Sequence, residues 1–371
     1  MKLIKYKLGD LIRQRRQKND SNDLPICGVT RDGFIPPKQQ DADTSLYNVF
    51  YLKDFVFNPA RMELNAIVFN DRYEKAICSS LYEVFYVHRP EVILPEYLAL
   101  LVKQDWFTRY CKFMGSGSAR EYCRVANISE LEIEVPPIEF QAEMARDNQI
   151  IRDRIELKRR INDNLEAQLS GVYHCFFDAP GNSVPGLISD LGEVVGGATP
   201  STDNPEYFCD DGIAWISPKD LTGTGLKFIY RGELCITESA YNSCSTKLMP
   251  AGTVLFTSRA PVGTVAIAMN DICTNQGFKS VIPKKEIGTA FVYYFLKENK
   301  QLIESHASGT TFMEVSGTVL KSIPAIVPKP EVASRFAAIC MPLFEEQRQN
   351  ELEIGRLQEL RQTLISSISS R

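Results

Sequence analysis

The chain has 371 residues, 44% of them hydrophobic, which suits two or three domains with real cores rather than one. A net charge of −4 excludes a globally basic polyanion binder and leaves a local basic surface open. No apolar run approaches a membrane span, Met1 leads into "KLIKYKLGDL" without a signal-peptide core, and the ten cysteines form no CxxC pair, so a reduced, cytoplasmic, zinc-free protein is expected.

In chain order the elements come twice. The first series opens with "LGDLI" (8–12) and a "DGFIPPK" turn (32–38). A polar-tipped strand pair follows, "AIVFNDRYEKAICSSLYEVF" (66–85). Then come an amphipathic helix, a small-residue loop "GSGSAR", and short strands ending at Pro137. A charged helix is predicted from about 138 to 170. Gly171 is expected to end it, and Pro180, Gly181, Pro185 and Gly186 mark a linker.

The second series has "LGEVV" (191–195), "DGIAWISPKDL" (211–221), "TVLFTSRAPVGTVAIAMNDICTNQGF" (253–278), and a helix, small-residue loop and strands from 288 to 330. A second charged helix covers about 331–369. "VLFTSR" is matched to "IVFNDR" and "ICTN" to "ICSS". The pairs Leu8/Leu191, Phe69/Phe256, Cys78/Cys273 and Pro136/Pro328 are separated by 183, 187, 195 and 192 positions. Such drift is what loop insertions produce in a duplication.

Both long helices carry a seam of three-four spacing. In the second it runs through Phe336, Cys340, Leu343, Gln347, Asn350, Ile354, Leu357, Arg361, Leu364 and Ile368. In the first it runs through Met144, Asn148, Ile151, Ile155, Lys158, Asn162, Leu165 and Leu169. The polar members cost stability and fix register, as a defined helix pair requires. The expected fold is α+β: two mixed α/β, β-rich domains separated by two long antiparallel coiled-coil helices in a pseudo-twofold arrangement. The boundaries read 1–137 (first domain), 138–171 (helical spacer), 172–186 (linker), 187–330 (second domain) and 331–371 (second spacer).

Catalytic motifs are missing. "NPEY" (204–207) superficially resembles an amino-methyltransferase motif, but Glu206 replaces its second proline and no Gly-rich cofactor loop precedes it. There is no phosphate-binding GxxxxGK[ST] and no nucleophile elbow. A binder without metal or cofactor is the better reading. Reading base edges needs Arg, Lys, Asn, Gln, Ser or Thr on loop tips. The first half offers Thr30, Arg31, Asn58, Arg61, Arg72, Ser79, Ser80, Ser116, Ser118 and Arg120. The second offers Thr199, Ser201, Lys219, Ser258, Arg259, Asn275, Gln276, Thr310 and Thr311. The competing class is a scaffold of two adhesive lobes on a coiled coil, which salt-dependent duplex binding would separate from a DNA reader.

The stretches "LGEVVGGATPSTDNPEYFCDDGIAWISPKDL", "KLMPAGTVLFTSRAPVGTVAIAMNDICTNQGF" and "SGTTFMEVSGTVLKSIPAIVPKP" carry a resemblance. The first half adds "LGDLI", "FVFNPAR", "AICSSLYEVFYV", "PEYL" and "GSGSAR". Together they resemble the specificity subunit of type I restriction–modification enzymes over nearly the whole chain. That resemblance implies a non-catalytic DNA-recognition subunit used in phage defence, with two target-recognition domains. Each would read one half of a bipartite double-stranded DNA target. The helices would act as a ruler and dock two methylation subunits, and a motor–nuclease subunit would join that core. The family's Pro-Pro-x-x-Glu-Gln helix start stands here as "PPIEFQ" and "PKPEVASRF", with "EEQ" delayed to 345–347, so helix contacts are not carried over residue by residue.

Overall fold

The computed structural model describes residues 3–21, 23–37, 43–115, 122–222, 225–259, 261–308 and 313–369. It divides into two compact units, Met1–Ile155 with Arg356–Arg371, and Glu156–Gly355. The first unit holds β1 (Ile4–Lys7), β2 (Ile12–Arg15), β3 (Ile26–Val29), β4 (Phe34–Ile35), β5 (Asn48–Tyr51), β6 (Phe55–Phe57), β7 (Ile67–Phe69), β8 (Lys75–Cys78), β9 (Glu83–Val87) and β10 (Glu132–Val135). Its helices are α1 (Pro95–Leu101), α2 (Asp105–Gly115), α3 (Val125–Ser129) and the first part of α4 (Ile138–Phe177).

The second unit holds β11 (Ser183–Leu187), α5 (Ile188–Leu191), β12 (Gly192–Gly196), β13 (Phe208–Cys209), β14 (Ile213–Ile216), α6 (Pro218–Thr222), β15 (Phe228–Ile229), β16 (Cys235–Ile236) and α7 (Glu238–Ser243). It continues through β17 (Val254–Phe256), β18 (Val265–Ala268), β19 (Ile272–Thr274), β20 (Lys279–Pro283), α8 (Thr289–Glu298), α9 (Lys300–Ser305), α10 (Gly317–Ser322), β21 (Pro324–Pro328) and α11 (Pro330–Ser369).

The duplication is visible in the strand order. In the first unit one sheet runs β2-β9-β6-β7; in the second, β12-β20-β17-β18 with β15 added at the edge. Each unit also has a parallel pair in its other sheet, β3 with β8 and β14 with β19; the added edge strand β15 pairs in parallel with β18 as well. Each ties its opening strand to the strand before its long helix, β1 to β10 and β11 to β21, both antiparallel. Even the turn that follows is repeated: the Leu8 amide donates to the Leu131 carbonyl at 2.8 Å, and the Ile188 amide to the Ile323 carbonyl at 3.1 Å.

The strand matching needs one correction. β17 and β18 form the antiparallel hairpin expected from "VLFTSRAPVGTVAIA". Its counterpart is β6–β7, so "VLFTSR" answers to "FVFNPAR" and not to "IVFNDR". The "IVF" strand is the second arm of the hairpin, and "KAIC" lies in the other sheet, against β3 and β5. Three-residue apolar strands such as FVF, IVF and VLF are interchangeable by pattern; pairing alone separates them. The "ICTN"/"ICSS" match corresponds to the two parallel strands, β19 and β8.

A second difference lies at Gly171. α4 does not stop there but runs on to Phe177. Leu169, Tyr173 and Phe177, one turn apart, are buried in the second unit's core with Phe291, Tyr294 and Phe336. Each such side chain contributes about 1.5–3 kcal/mol by burial. A mid-helix glycine costs only about 1 kcal/mol. The expected linker is thereby shortened, and its last part is β11. The first unit's core gathers Leu8, Leu11, Phe55, Phe57, Phe85, Tyr97 and Phe107, with Ile365 and Ile368 of α11 completing it.

The seam positions on both helices are buried or half-buried throughout. Their polar members find one another. Within the first unit Arg361 Nε donates to Asn148 Oδ1. Within the second, Lys158 Nζ donates to Asn350 Oδ1 at 2.8 Å, Asn350 Nδ2 to Asn162 Oδ1 at 2.8 Å, and Asn162 Nδ2 to the Gln347 carbonyl at 3.1 Å. Rising numbers on α4 meet falling numbers on α11, so the helices are antiparallel within that unit. None of the described helices is long and apolar enough to cross a membrane.

Candidate nucleic-acid interface

In the second unit a polar ridge forms where the loops after β12, β17 and β19 meet. Gly197 makes it possible. A Cβ there would lie 2.1 Å from the Asn275 carbonyl oxygen and 2.2 Å from that of Thr274, so only glycine lets the loop rest on the end of β19. Two residues on, the Thr199 hydroxyl donates to the side-chain oxygen of Gln276. Lys279 Nζ donates to the Gln276 carbonyl at 3.3 Å and lies 3.5 Å from Glu314 Oε1. The other Glu314 oxygen accepts from Arg259 Nε at 3.0 Å. Thr199, Gln276, Lys279, Glu314 and Arg259 thus form one connected series.

The other described candidates of this unit lie in or beside these loops. Asn275 builds its turn: the side-chain oxygen accepts the Gly277 amide at 2.9 Å, and its own amide donates to the Ile216 carbonyl at 2.9 Å. Ser258 is wholly buried, with its amide on the Gly277 carbonyl at 2.8 Å. Its side chain therefore belongs beneath the surface rather than on it. Ser201 Oγ accepts the Asp203 amide at 3.3 Å and shapes a loop. Lys219 is exposed and paired with Glu233 at 2.7 Å, which raises its pKa. Thr310 and Thr311 lie outside the described residues.

The described candidates of the first unit do not form one series. Asn58 caps the 3-10 turn Pro59–Leu64 by accepting the Ala60 amide at 3.1 Å, and Arg61 is exposed on that turn. The Cys123 amide donates to the Pro59 carbonyl at 3.0 Å, bringing the chain around 123 beside this tip. Thr30 closes a turn, both its amide and hydroxyl donating to the Gly33 carbonyl. The exposed Arg31 gives its carbonyl to Lys103 Nζ at 2.8 Å. Burial lowers the Lys103 pKa to about 8, with Arg31 acting in the same sense. Arg72 is exposed on the β7–β8 loop, and Ser79 Oγ accepts the Leu81 amide on a separate turn. Ser116, Ser118 and Arg120 lie outside the described residues.

Two repeats of one strand order, each ending in a long helix, find their explanation in known sequences. The sequence pattern described as "Type I restriction modification DNA specificity domain" matches residues 5–167 and again 181–362. The chain belongs to this family. Its two matched segments coincide with the two series of strands. The MjaIX specificity subunit of Methanocaldococcus jannaschii is 42% identical over 172 residues, 44% of this chain and 39% of its own length. The HindI specificity subunit of Haemophilus influenzae is 21% identical, with 97% of each chain covered. This chain thus spans about two fifths of the first relative and nearly all of the second. The crystal structure of the type I restriction–modification S subunit from M. genitalium has the same fold. Its TM-score is 0.59 at 13% identity, covering 98% of this chain and 95% of that one.

Several polar residues of this chain escape sequence reasoning. Glu314 and Lys279 complete the ridge, but each is a lone charge in an apolar or loop context. Asn70, fully buried, organises the Arg72 loop: its Nδ2 donates to the Tyr51 and Tyr73 carbonyls at 2.8 and 2.7 Å, and its Oδ1 accepts the Tyr73 amide at 2.9 Å. The "FND" pattern offered an Asx turn as the only hint. Lys227 and Glu166 form a buried ion pair at 2.7 Å, 61 positions apart, which no local pattern reveals.

Proposed function

We propose that this chain is the DNA-sequence-recognition subunit of a type I restriction–modification complex. Residues 1–137 read one half of a bipartite double-stranded target and residues 187–330 the other. α4 and α11 set the spacing and carry two methylation subunits; a motor–nuclease subunit joins when cleavage is needed. The chain works in the cytoplasm, and its partners supply all bond-making chemistry. The observation that carries this reading is the repeated sheet order, β2-β9-β6-β7 and β12-β20-β17-β18, with polar loops at corresponding strand ends. A reader of two DNA segments needs two such surfaces and a fixed distance between them.

The differing tips imply different half-sites. The β6–β7 loop carries Asn58 and Arg61, whereas the β17–β18 loop presents Arg259 with Ser258 buried beneath it. With a net charge of −4, much of the phosphate neutralisation falls to the partner subunits. The test is to produce the chain with the products of its neighbouring genes and read methylated bases across the host genome. Two short specified blocks separated by a fixed run of unspecified bases are expected. A contiguous motif, or methylation unaffected by deleting this chain, contradicts the proposal.

A further inference from the structure

Lys227 stands just before β15, the edge strand of the five-stranded sheet, and only 7% of its side chain is exposed. Its ammonium donates to Glu166 on α4 at 2.7 Å, to Gln347 on α11 at 2.9 Å, and to the Tyr294 hydroxyl on α8 at 3.1 Å. An ammonium has three hydrogens, and all three are used. The Phe344 and Tyr293 rings close over it, their centroids 3.8 and 4.4 Å away. The backbone is held too: the Lys227 and Phe228 amides donate to the two oxygens of Glu351, at 3.0 and 3.2 Å. Gln347 Nε2 in turn donates to Glu166 at 3.0 Å and to the Asn162 carbonyl at 3.2 Å. One side chain from the sheet edge is therefore built into the polar layer that registers the two helices against each other.

We propose that Lys227 is the positioning residue that seats the second recognition domain at one place along the helix pair, and so makes the half-site spacing single-valued. Burying such a group contributes little net stability compared with apolar packing, and its best-attested use is to select one register. The helices show why the seat is unique. A shift by one turn would put Asn162 or Ser170 where Glu166 stands, and Leu343 or Glu351 where Gln347 stands. Because the helices are antiparallel, one shift pairs Ser170 with Leu343, which offers no acid, and the other pairs Asn162 with Glu351, which exchanges acid and amide between the helices and withdraws Glu351 from the Lys227 and Phe228 amides. An apolar contact would tolerate intermediate positions; a buried ammonium with three directed bonds does not. The first domain meets α4 through different groups: Gln141, wholly buried, accepts the Leu94 amide at 2.9 Å and donates to the Val92 carbonyl at 2.9 Å, and the half-exposed pair Asp71–Arg152 lies at 2.7 Å.

This inference rests on the two-half-site reading above. The experiment uses the full chain assembled with its methylation subunits. Duplex probes carry the two native half-sites with the native spacer or with one base pair added or removed. In Lys227→Met the preference for the native spacer should fall about tenfold, within the usual range for coupling between sites. Recognition of each half-site stays unchanged. Gln347→Leu keeps the helix pair, because leucine suits a seam position, yet removes an ammonium partner; the spacer preference should fall there as well. A purely structural role would lower the melting temperature and leave spacer preference intact. Folded variants with wild-type spacer preference overturn the seat, as does an altered half-site. A wild type that recognises no bipartite target overturns the functional reading instead.

Discussion

Arg361 on α11 donates its Nε hydrogen to the Asn148 side-chain oxygen on α4 at 2.9 Å, and both residues occupy seam positions where a leucine would pack. Burial, with Arg152 nearby, lowers the Arg361 pKa from its usual value. The pair is therefore a register device maintained at some cost. Arg361→Leu alone should leave Asn148, only 7% exposed, without its partner and destabilise the first unit by ~1–3 kcal/mol. The double variant Asn148→Leu/Arg361→Leu should recover that loss. Thermal unfolding of the three chains decides it; a double variant no better than the single would mean that the seam depends on this bond.

Arg259 is held at its Nε by Glu314, so the far edge of its guanidinium is the part left for a base. Arg259→Ala should relax one position in one half-site only. The discrimination lost is ~1–3 kcal/mol if the contact is a bidentate one to guanine. Methylation motifs of the variant complex give the readout, and a motif unchanged in every position removes Arg259 from the reading surface.

The acid behaviour of the second unit follows from Glu166. Burial would raise its pKa, but Lys227 and Lys297 outweigh this through charge and hydrogen bonds and bring it to about 2, below the ordinary 4.5. A carboxylate with a depressed folded pKa contributes stability that is complete above 4.5 and is lost as pH falls through about 2. Glu351 works in the opposite sense. Burial raises it to about 6, against the Lys227 and Phe228 amides, so its contribution is present below 4.5 and lost as pH rises through about 6. Glu166→Gln should unfold at lower temperature than the parent at pH 5, with the gap closing between pH 4.5 and 2. A gap independent of pH would show that Glu166 is not ionised in the folded chain.

How far the fold was legible depends on the range of the interaction concerned. The seam from Phe336 to Ile368 could be read because heptad spacing is a local signal, and the duplication could be read because whole series recur. Gly171 does not end α4, because its local preference to end a helix is outweighed by Leu169, Tyr173 and Phe177, whose burial depends on Phe291 and Phe336 more than a hundred positions away. The β6–β7 hairpin is not legible locally, because three apolar residues do not name their partner strand. At the ridge, Arg259 was visible as a loop-tip cation, but Glu314, 55 positions on, was not. Ser258 looked like a tip residue and is buried, since the Val315 amide covers its carbonyl at 3.0 Å.

Modularity gives a further test. A cut at 186 would split β11, so the segment to exchange is 183–330, which begins with β11, ends where α11 starts, and keeps the β11–β21 pairing inside it. Replacing the segment by the corresponding part of another specificity subunit, with Lys227 and its sheet edge restored, should change one half of the methylated motif and preserve the other. A folded, assembled chimera with both halves altered would contradict independent reading.

The ruler can be tested at the place where the two compact units meet in sequence, after Ile155 on α4 and after Gly355 on α11. An insertion nearer Asn162 would break the polar layer with Gln347 and Asn350, and with it the seat of Lys227. Four residues added at both junctions leave the hydrogen bonds within each unit untouched. They lengthen each helix by ~6 Å, slightly more than one turn. DNA rises about 3.4 Å per base pair. From Met144 to Ser170, α4 extends ~40 Å at 1.5 Å per residue, close to the roughly 34–36 Å of one duplex turn. If the recognition domains ride on these helices, the paired insertion should lengthen the unspecified spacer by one or two base pairs and leave both half-sites as they were. Inserting into one helix alone throws the seams out of step and should abolish methylation. The spacer is read from the methylated motif in genomic DNA. An active doubly extended chain with the original spacer would mean that something other than α4 and α11 sets the distance.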